Sequence, residues 1–89
     1  MMTPADFLAT AQAAGDPTRL QLLCQLGEGP RSVGQLARDV GLTSAAVTYH
    51  VRRLREAGLV GVLRRGRNTL VHRDGRRWAA LVHALGAPE

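Results

Sequence analysis

The sequence predicts a mainly α-helical domain that carries a single β-hairpin. Three observations lead there. Apolar residues recur at helical spacing through most of the chain, nearly every such stretch is preceded by a Thr, Ser or Asp suited to capping a helix, and strand-like runs occur only between Leu59 and His72. With 89 residues the chain is expected to form one domain over 1–89, and so small a domain buries only a modest share of its surface, so a partner subunit is expected.

Thr3 followed by Pro4 starts the first helix, because proline at the first helical position gives up an N–H that would have no partner there anyway. Phe7, Leu8, Ala11 and Ala14 form its apolar stripe, and it ends near Gly15. Asp16-Pro17 repeats the device for a second helix, whose inward face is expected to hold Leu20, Leu23 and Leu26. Cys24 beside them reads as a small buried hydrophobe, structural rather than redox-active. After the loop Gly27-Glu28-Gly29-Pro30, Ser32 caps a short third helix with Val33, Leu36, Ala37 and Val40 inward.

Gly41-Leu42 is then a tight link to a fourth helix, expected from about Ser44 to Ala57, with Thr43 or Ser44 as its cap and Gly58 as its left-handed stop. A short helix, a brief glycine turn and a capped second helix make a helix-turn-helix. On the fourth helix Val47, His50, Val51 and Leu54 share one face and are expected to be buried, His50 as a core or flanking histidine. Ala45, Thr48, Tyr49, Arg52 and Glu56 line the other face, which suits a helix whose first turns enter a DNA major groove.

Beyond Gly58, Leu59–Leu63 and Thr69–His72 read as the strands of a hairpin, joined by a polar turn over Arg64–Asn68 that contains Gly66. Arg64, Arg65 and Arg67 give this wing a basic tip, placed for phosphates or a minor groove. A last helix, roughly Arg76 to Leu85, sets Trp78, Leu81, Val82 and Leu85 on one stripe. The order α-α-α-α-β-β-α is that of a winged helix-turn-helix. Phe7, Leu8, Trp78, Leu81, Val82 and Leu85, on the two terminal helices, are the candidate dimer interface.

Charge separates the chain into two parts. All 12 basic residues are arginine. Up to Leu42, Arg19, Arg31 and Arg38 face Asp6, Asp16, Glu28 and Asp39, a balance of −1; from Thr43 onward the other nine arginines face only Glu56, Asp74 and Glu89, a balance of +6, so the net +5 comes from the half that holds the fourth helix and the wing. Such a surface attracts nucleic acid, because neutralising phosphates supplies most non-specific affinity. No apolar run is long enough to span a bilayer, no signal sequence opens the chain, and a single cysteine suits a reducing compartment, so a cytoplasmic protein is expected. No Gly-rich phosphate loop and no Cys-His pair at useful spacing suggests an enzyme, and no cofactor is expected. The rival reading is a winged-helix protein-interaction module, which would be expected to expose an apolar patch where this chain has Thr48, Tyr49 and Arg52.

The segments GDPTRLQLLCQL and SVGQLARDVGLTSAAVTYHVRRLREAGLV, followed by the arginine-tipped hairpin, resemble the ArsR family of bacterial winged helix-turn-helix repressors from about Ala5 to Leu85. That resemblance implies a homodimer, paired through the first and last helices, that occupies a double-stranded DNA operator and is released by a small effector. It places Ser44, Ala45, Thr48 and Tyr49 against the bases, with Ser44 and Ala45 standing where glutamine and serine are common in the family. Two metal patterns of such regulators are broken here: Ser32 to Val40 contains no Cys or His, and Asp74 and His83 lack the companions that complete a site on the last helix. No metal site is therefore expected, His72, Asp74 and His83 included, and the resemblance leaves the effector open.

Overall fold

The computed structural model describes residues 3–86; each of its helices begins on a capping side chain, those of the first four anticipated above and that of the last, Asp74, not. Helix α1, Pro4–Ala14, is opened by Thr3, whose hydroxyl accepts from Asp6 N while the Asp6 carboxylate accepts from Thr3 N. Helix α2, Pro17–Leu26, is capped by Asp16 at 3.1 Å from Arg19 N. Helix α3, Val33–Val40, has a full capping box between Ser32 and Gln35, and helix α4, Ser44–Glu56, is capped by Thr43. Helix α5, Gly75–Ala84, starts on Asp74, whose carboxylate accepts from Arg77 N at 2.8 Å. Helix α3 reaches α4 within three residues because Gly41 takes the left-handed conformation (φ +70) that ends one helix and turns the chain into the next.

Three strands, β1 (Arg31–Ser32), β2 (Val60–Arg65) and β3 (Asn68–Arg73), form one antiparallel sheet in the order β1-β3-β2. Two features depart from the expected hairpin. Arg31 and Ser32 pair with Val71 and Leu70, which makes the sheet three-stranded. The strands of the wing also run further than anticipated: Arg65 pairs with Asn68, so Arg64, Arg65 and Asn68 are strand residues and only Gly66-Arg67 turn. Gly66, with φ +59, holds the first position of that two-residue turn, where the twist of the strands requires a positive φ.

The core gathers Leu22, Leu23, Leu26, Leu36, Val47, Val51, Leu54, Leu59, Val71 and Leu81. It joins one face each of α2, α3, α4 and α5 to the inner side of the sheet. Three expectations are corrected by it. On α2 it is Leu22 that is buried and Leu20 that is exposed. Cys24 is exposed rather than buried, since the core face of α2 runs through Leu22, Leu23 and Leu26 and leaves it outward. Leu81 is 2% exposed within a single chain, so it belongs to this core and not to a surface awaiting a partner.

Arg31 anchors the edge strand, donating to Glu28 at 2.8 Å and lying 3.9 Å from Asp39. Arg73 ties the sheet to two helices, donating to Leu23 O at 3.2 Å with its guanidinium carbon 4.8 Å from the Trp78 ring centre. Two buried polar atoms have no hydrogen-bond partner among the described residues, Arg31 Nε and the hydroxyl of Thr10, which is 1% exposed. A buried hydroxyl without a partner costs its lost hydration, so Thr10→Val is expected to raise stability by roughly 1 kcal/mol, read as a higher urea midpoint at unchanged slope. Among the described residues no helix is long and apolar enough to cross a membrane.

Candidate nucleic-acid interface

Helix α4 divides into the two faces that its sequence implies. Val47, Val51 and Leu54 are buried, which fixes the rotation of the helix about its axis. Ser44, Ala45, Thr48, Tyr49 and Arg52 are in consequence exposed, Tyr49 by 54%. His50 is half-buried at the boundary, its ring edge-on to that of Tyr49 with centroids 5.3 Å apart. Its Nδ1 lies 3.4 Å from Arg19 Nη1. A guanidinium only donates, so this contact is a hydrogen bond in the form of the ring that leaves Nδ1 free to accept. Arg19 also donates to Ala13 O at 2.6 Å, and its backbone N–H holds the Asp16 carboxylate, which that bond keeps below the usual carboxylate range. One side chain thus joins the end of α1, the start of α2 and the middle of α4.

The wing stands beside this helix. Residues alternate faces along β2 and β3, so Val62, Arg64, Thr69 and Val71 share the side turned to α4, while Leu63, Arg65, Asn68 and Leu70 share the other. Arg64 and Arg65, expected together at one tip, therefore point to opposite sides of the ribbon, and Arg67 occupies the turn; all three are exposed. Between α4 and the wing runs a groove of about 230 Å³ with an apolar floor of Val33, Val51, Val62 and Val71, edged by Thr48, Arg52, Arg55 and Thr69. Arg55 and Thr69 were not anticipated as part of this surface. The signal for Arg55 was present, since Thr48, Arg52 and Arg55 are spaced i, i+4 and i+7 and lie in one row. That row ends in two guanidinium groups, donors suited to phosphate oxygens on either side of a sugar.

The candidate dimer residues divide. Leu81 is in the core, Trp78 and Val82 are half-buried, and Leu8 and Leu85 are 57% and 66% exposed. The side chain of Phe7 lies outside the described residues. Trp78, Val82 and Leu85 border a groove of about 310 Å³ whose other wall is Ala11, Ala14 and Leu20. The possible metal ligands stay apart. His72 lies against Gly61, where a Cβ would come within 2.6 Å of its Nε2; Asp74 caps α5; and His83 is exposed on that helix. Among the described residues no group of three or more His, Cys, Asp or Glu side chains converges.

Comparison with known proteins agrees with this architecture. The family model described as bacterial regulatory protein, arsR family, matches residues 16–62, from the cap of α2 into β2. The chain is 42% identical over 64 residues to the HTH-type transcriptional regulator NmtR of Mycobacterium tuberculosis, an overlap of 72% of this chain and 53% of that protein. It is 35% identical over 69 residues to the biofilm growth-associated repressor of Xylella fastidiosa, 78% of this chain and 60% of the other. The chain thus spans little more than half the length of these curated relatives. Among solved structures, the homodimeric winged helix-turn-helix DNA-binding domain of a Mycobacterium bovis protein superposes with a TM-score of 0.80 at 26% identity, covering 92% of this chain and 79% of that one.

Proposed function

This chain belongs to the arsR family of bacterial regulatory proteins, and from that premise we propose that it is a sequence-specific DNA-binding transcriptional repressor that works as a homodimer on an inverted-repeat operator. Residues 1–89 then form one winged helix-turn-helix unit, with the terminal helices given over to pairing. The observation that carries the reading is the juxtaposition on α4: a face locked into the core by Val47, Val51 and Leu54, and opposite it an exposed polar row flanked by a basic wing. A helix held so rigidly presents Ser44, Ala45, Thr48 and Tyr49 at fixed positions, which is what reading base edges in a major groove requires. Arg52, Arg64, Arg65 and Arg67 supply the charge that neutralises flanking phosphates.

Dimerisation follows from the apolar groove between α1, α2 and α5. It is edged by exposed Leu20 and Leu85, and Leu8 continues the line of Ala11 along α1. A second copy, related by a two-fold axis, would lay its own α1 and α5 across this groove and cover both sets of leucines at once. The relative from Mycobacterium bovis, homodimeric by its description, supports pairing of two copies.

The test is binding to DNA upstream of the chain's own gene against a scrambled duplex of equal length at several salt concentrations. Operator binding tighter by at least about a thousandfold, with a steep fall in affinity as salt rises, is the expected result. Equal affinity for the two duplexes at every salt concentration would refute sequence-specific recognition.

A further inference from the structure

A trough between α1 and the C-terminal end of α4 has chemistry that the DNA-binding reading leaves unused. Its inner part, about 170 Å³, is lined by Thr10, Arg55 and Arg77, with Ala9 and Ala57 as apolar wall. Its outer part, about 270 Å³, shares Ala9, Glu56 and Ala57 and adds Arg53 at the rim. The two guanidinium groups of the inner part have no carboxylate partner: among the described residues the ion pairs are those of Arg31. Arg77 lies over the bare backbone of Gly58, where a Cβ would stand 3.2 Å from its Nε.

Two acids also border the trough. Asp6 is committed to the start of α1: its carboxylate accepts from Thr3 N, and hydrogen bonding with Thr3 holds it below the usual carboxylate range, with Arg77 adding to the effect. Glu56, exposed, is the other. The arginines Arg53, Arg55 and Arg77 outnumber them. At the inner end is Thr10, nine-tenths and more buried, with the hydroxyl that has no partner among the described residues. Native interiors rarely leave such a group unpaired, and an unpaired one beside two guanidinium groups that make no salt bridge among the described residues marks a place for an anionic acceptor.

We propose that this trough binds a small organic carboxylate, held between Arg55 and Arg77 and accepting from the Thr10 hydroxyl, with its carbon skeleton against Ala9 and Ala57. Its position gives binding a consequence. Arg55 lines both this trough and the groove between α4 and the wing. One guanidinium cannot neutralise a carboxylate on one side of α4 and a DNA phosphate on the other, so carboxylate and DNA compete for Arg55. This second step rests on the proposed DNA-binding function; carboxylate binding itself does not.

The experiment is an amide NMR titration of the whole chain with sodium benzoate, using sodium chloride at equal ionic strength as control, on wild type, Thr10→Val and Arg77→Gln. Saturable shifts centred on residues 6–13, 55–58 and 77 are expected, with the dissociation constant raised about tenfold or more in each variant, as befits loss of a hydrogen bond to a charged group. Thr10→Val guards against a folding artefact, because it replaces an unpartnered hydroxyl by a methyl of similar size. Shifts that do not saturate, or dissociation constants unchanged in both variants, would overturn the site. In a second arm, benzoate is expected to weaken operator binding by wild type beyond the chloride control, and Arg77→Gln to abolish that effect while binding DNA normally without benzoate. Benzoate that binds yet leaves DNA affinity at the chloride value overturns the competition for Arg55. A chain that binds no DNA in either salt overturns the DNA-binding reading instead, and the NMR arm still decides the trough.

Discussion

Leu85→Arg should yield a folded monomer. Leu85 is 66% exposed in the single chain and borders the apolar groove of α1, α2 and α5, so an arginine there costs the isolated protomer little. In a two-fold dimer the same change places two uncompensated charges in a desolvated seam, because each substitution appears twice. A loss of about 2 to 4 kcal/mol at such a position raises the dimer dissociation constant some 30- to 1000-fold. Sedimentation equilibrium at tens of micromolar, an order of magnitude at which an interface of this kind is expected to hold wild type together, reads the change directly. Circular dichroism on the same samples should show wild-type helix content. Operator affinity should fall with it, since the second half-site is no longer linked to the first. Leu81→Arg is the informative contrast: Leu81 sits in the core of one chain, so that variant should unfold rather than dissociate. A wild type that sediments as a monomer, or a Leu85→Arg variant that remains dimeric, would show that the groove is not the seam.

The second large effect separates base reading from phosphate contact. Thr48 and Tyr49 are exposed in the first half of α4, while Arg65 and Arg67 belong to the far end of the wing. Thr48→Ala or Tyr49→Ala should cost on the order of 1 to 3 kcal/mol on the operator and little on scrambled DNA, which flattens discrimination. Arg65→Ala or Arg67→Ala should weaken both duplexes alike and lower the salt slope by about one unit per lost phosphate contact, counted per subunit. Neither pair touches the core, so circular dichroism should be unchanged in all four. Isotherms on operator and scrambled duplexes, with half-sites about 10 base pairs apart in the operator, give the comparison. Should the wing variants erase discrimination and the helix variants preserve it, the wing would be the reader and the roles of the two elements would be exchanged.

Much of this molecule was legible along the chain because the signals that set it are local. Thr3, Asp16, Ser32, Thr43 and Asp74 satisfy amides only three residues away, and each marks the start of a helix wherever the rest of the chain goes. The two faces of α4 follow in the same way, since Val47, Val51 and Leu54 at i, i+4 and i+7 leave Thr48, Tyr49 and Arg52 on the outside. What the chain could not show is what covers each apolar face. Helix α2 offers Leu20, Leu22, Leu23 and Leu26 across nearly half its circumference with Leu20 and Leu22 at the two edges, so its period does not choose between those two, and with that choice went the burial of Cys24. Leu81 and Leu85 lie one turn apart on a single stripe, yet packing against the rest of the core takes the first and leaves the second in the open groove. Strand β1 is two residues whose partners Leu70 and Val71 lie far along the chain, and no local pattern announces a pairing that only the folded sheet creates. The same holds for Arg55: its place in the row on α4 is written in its spacing, but the trough that it shares with Thr10 and Arg77 exists only once α1 and α5 have packed beside the end of α4. Helix period and capping are fixed by neighbours within a turn or two, whereas the partner of a face is fixed by contacts between residues tens of positions apart.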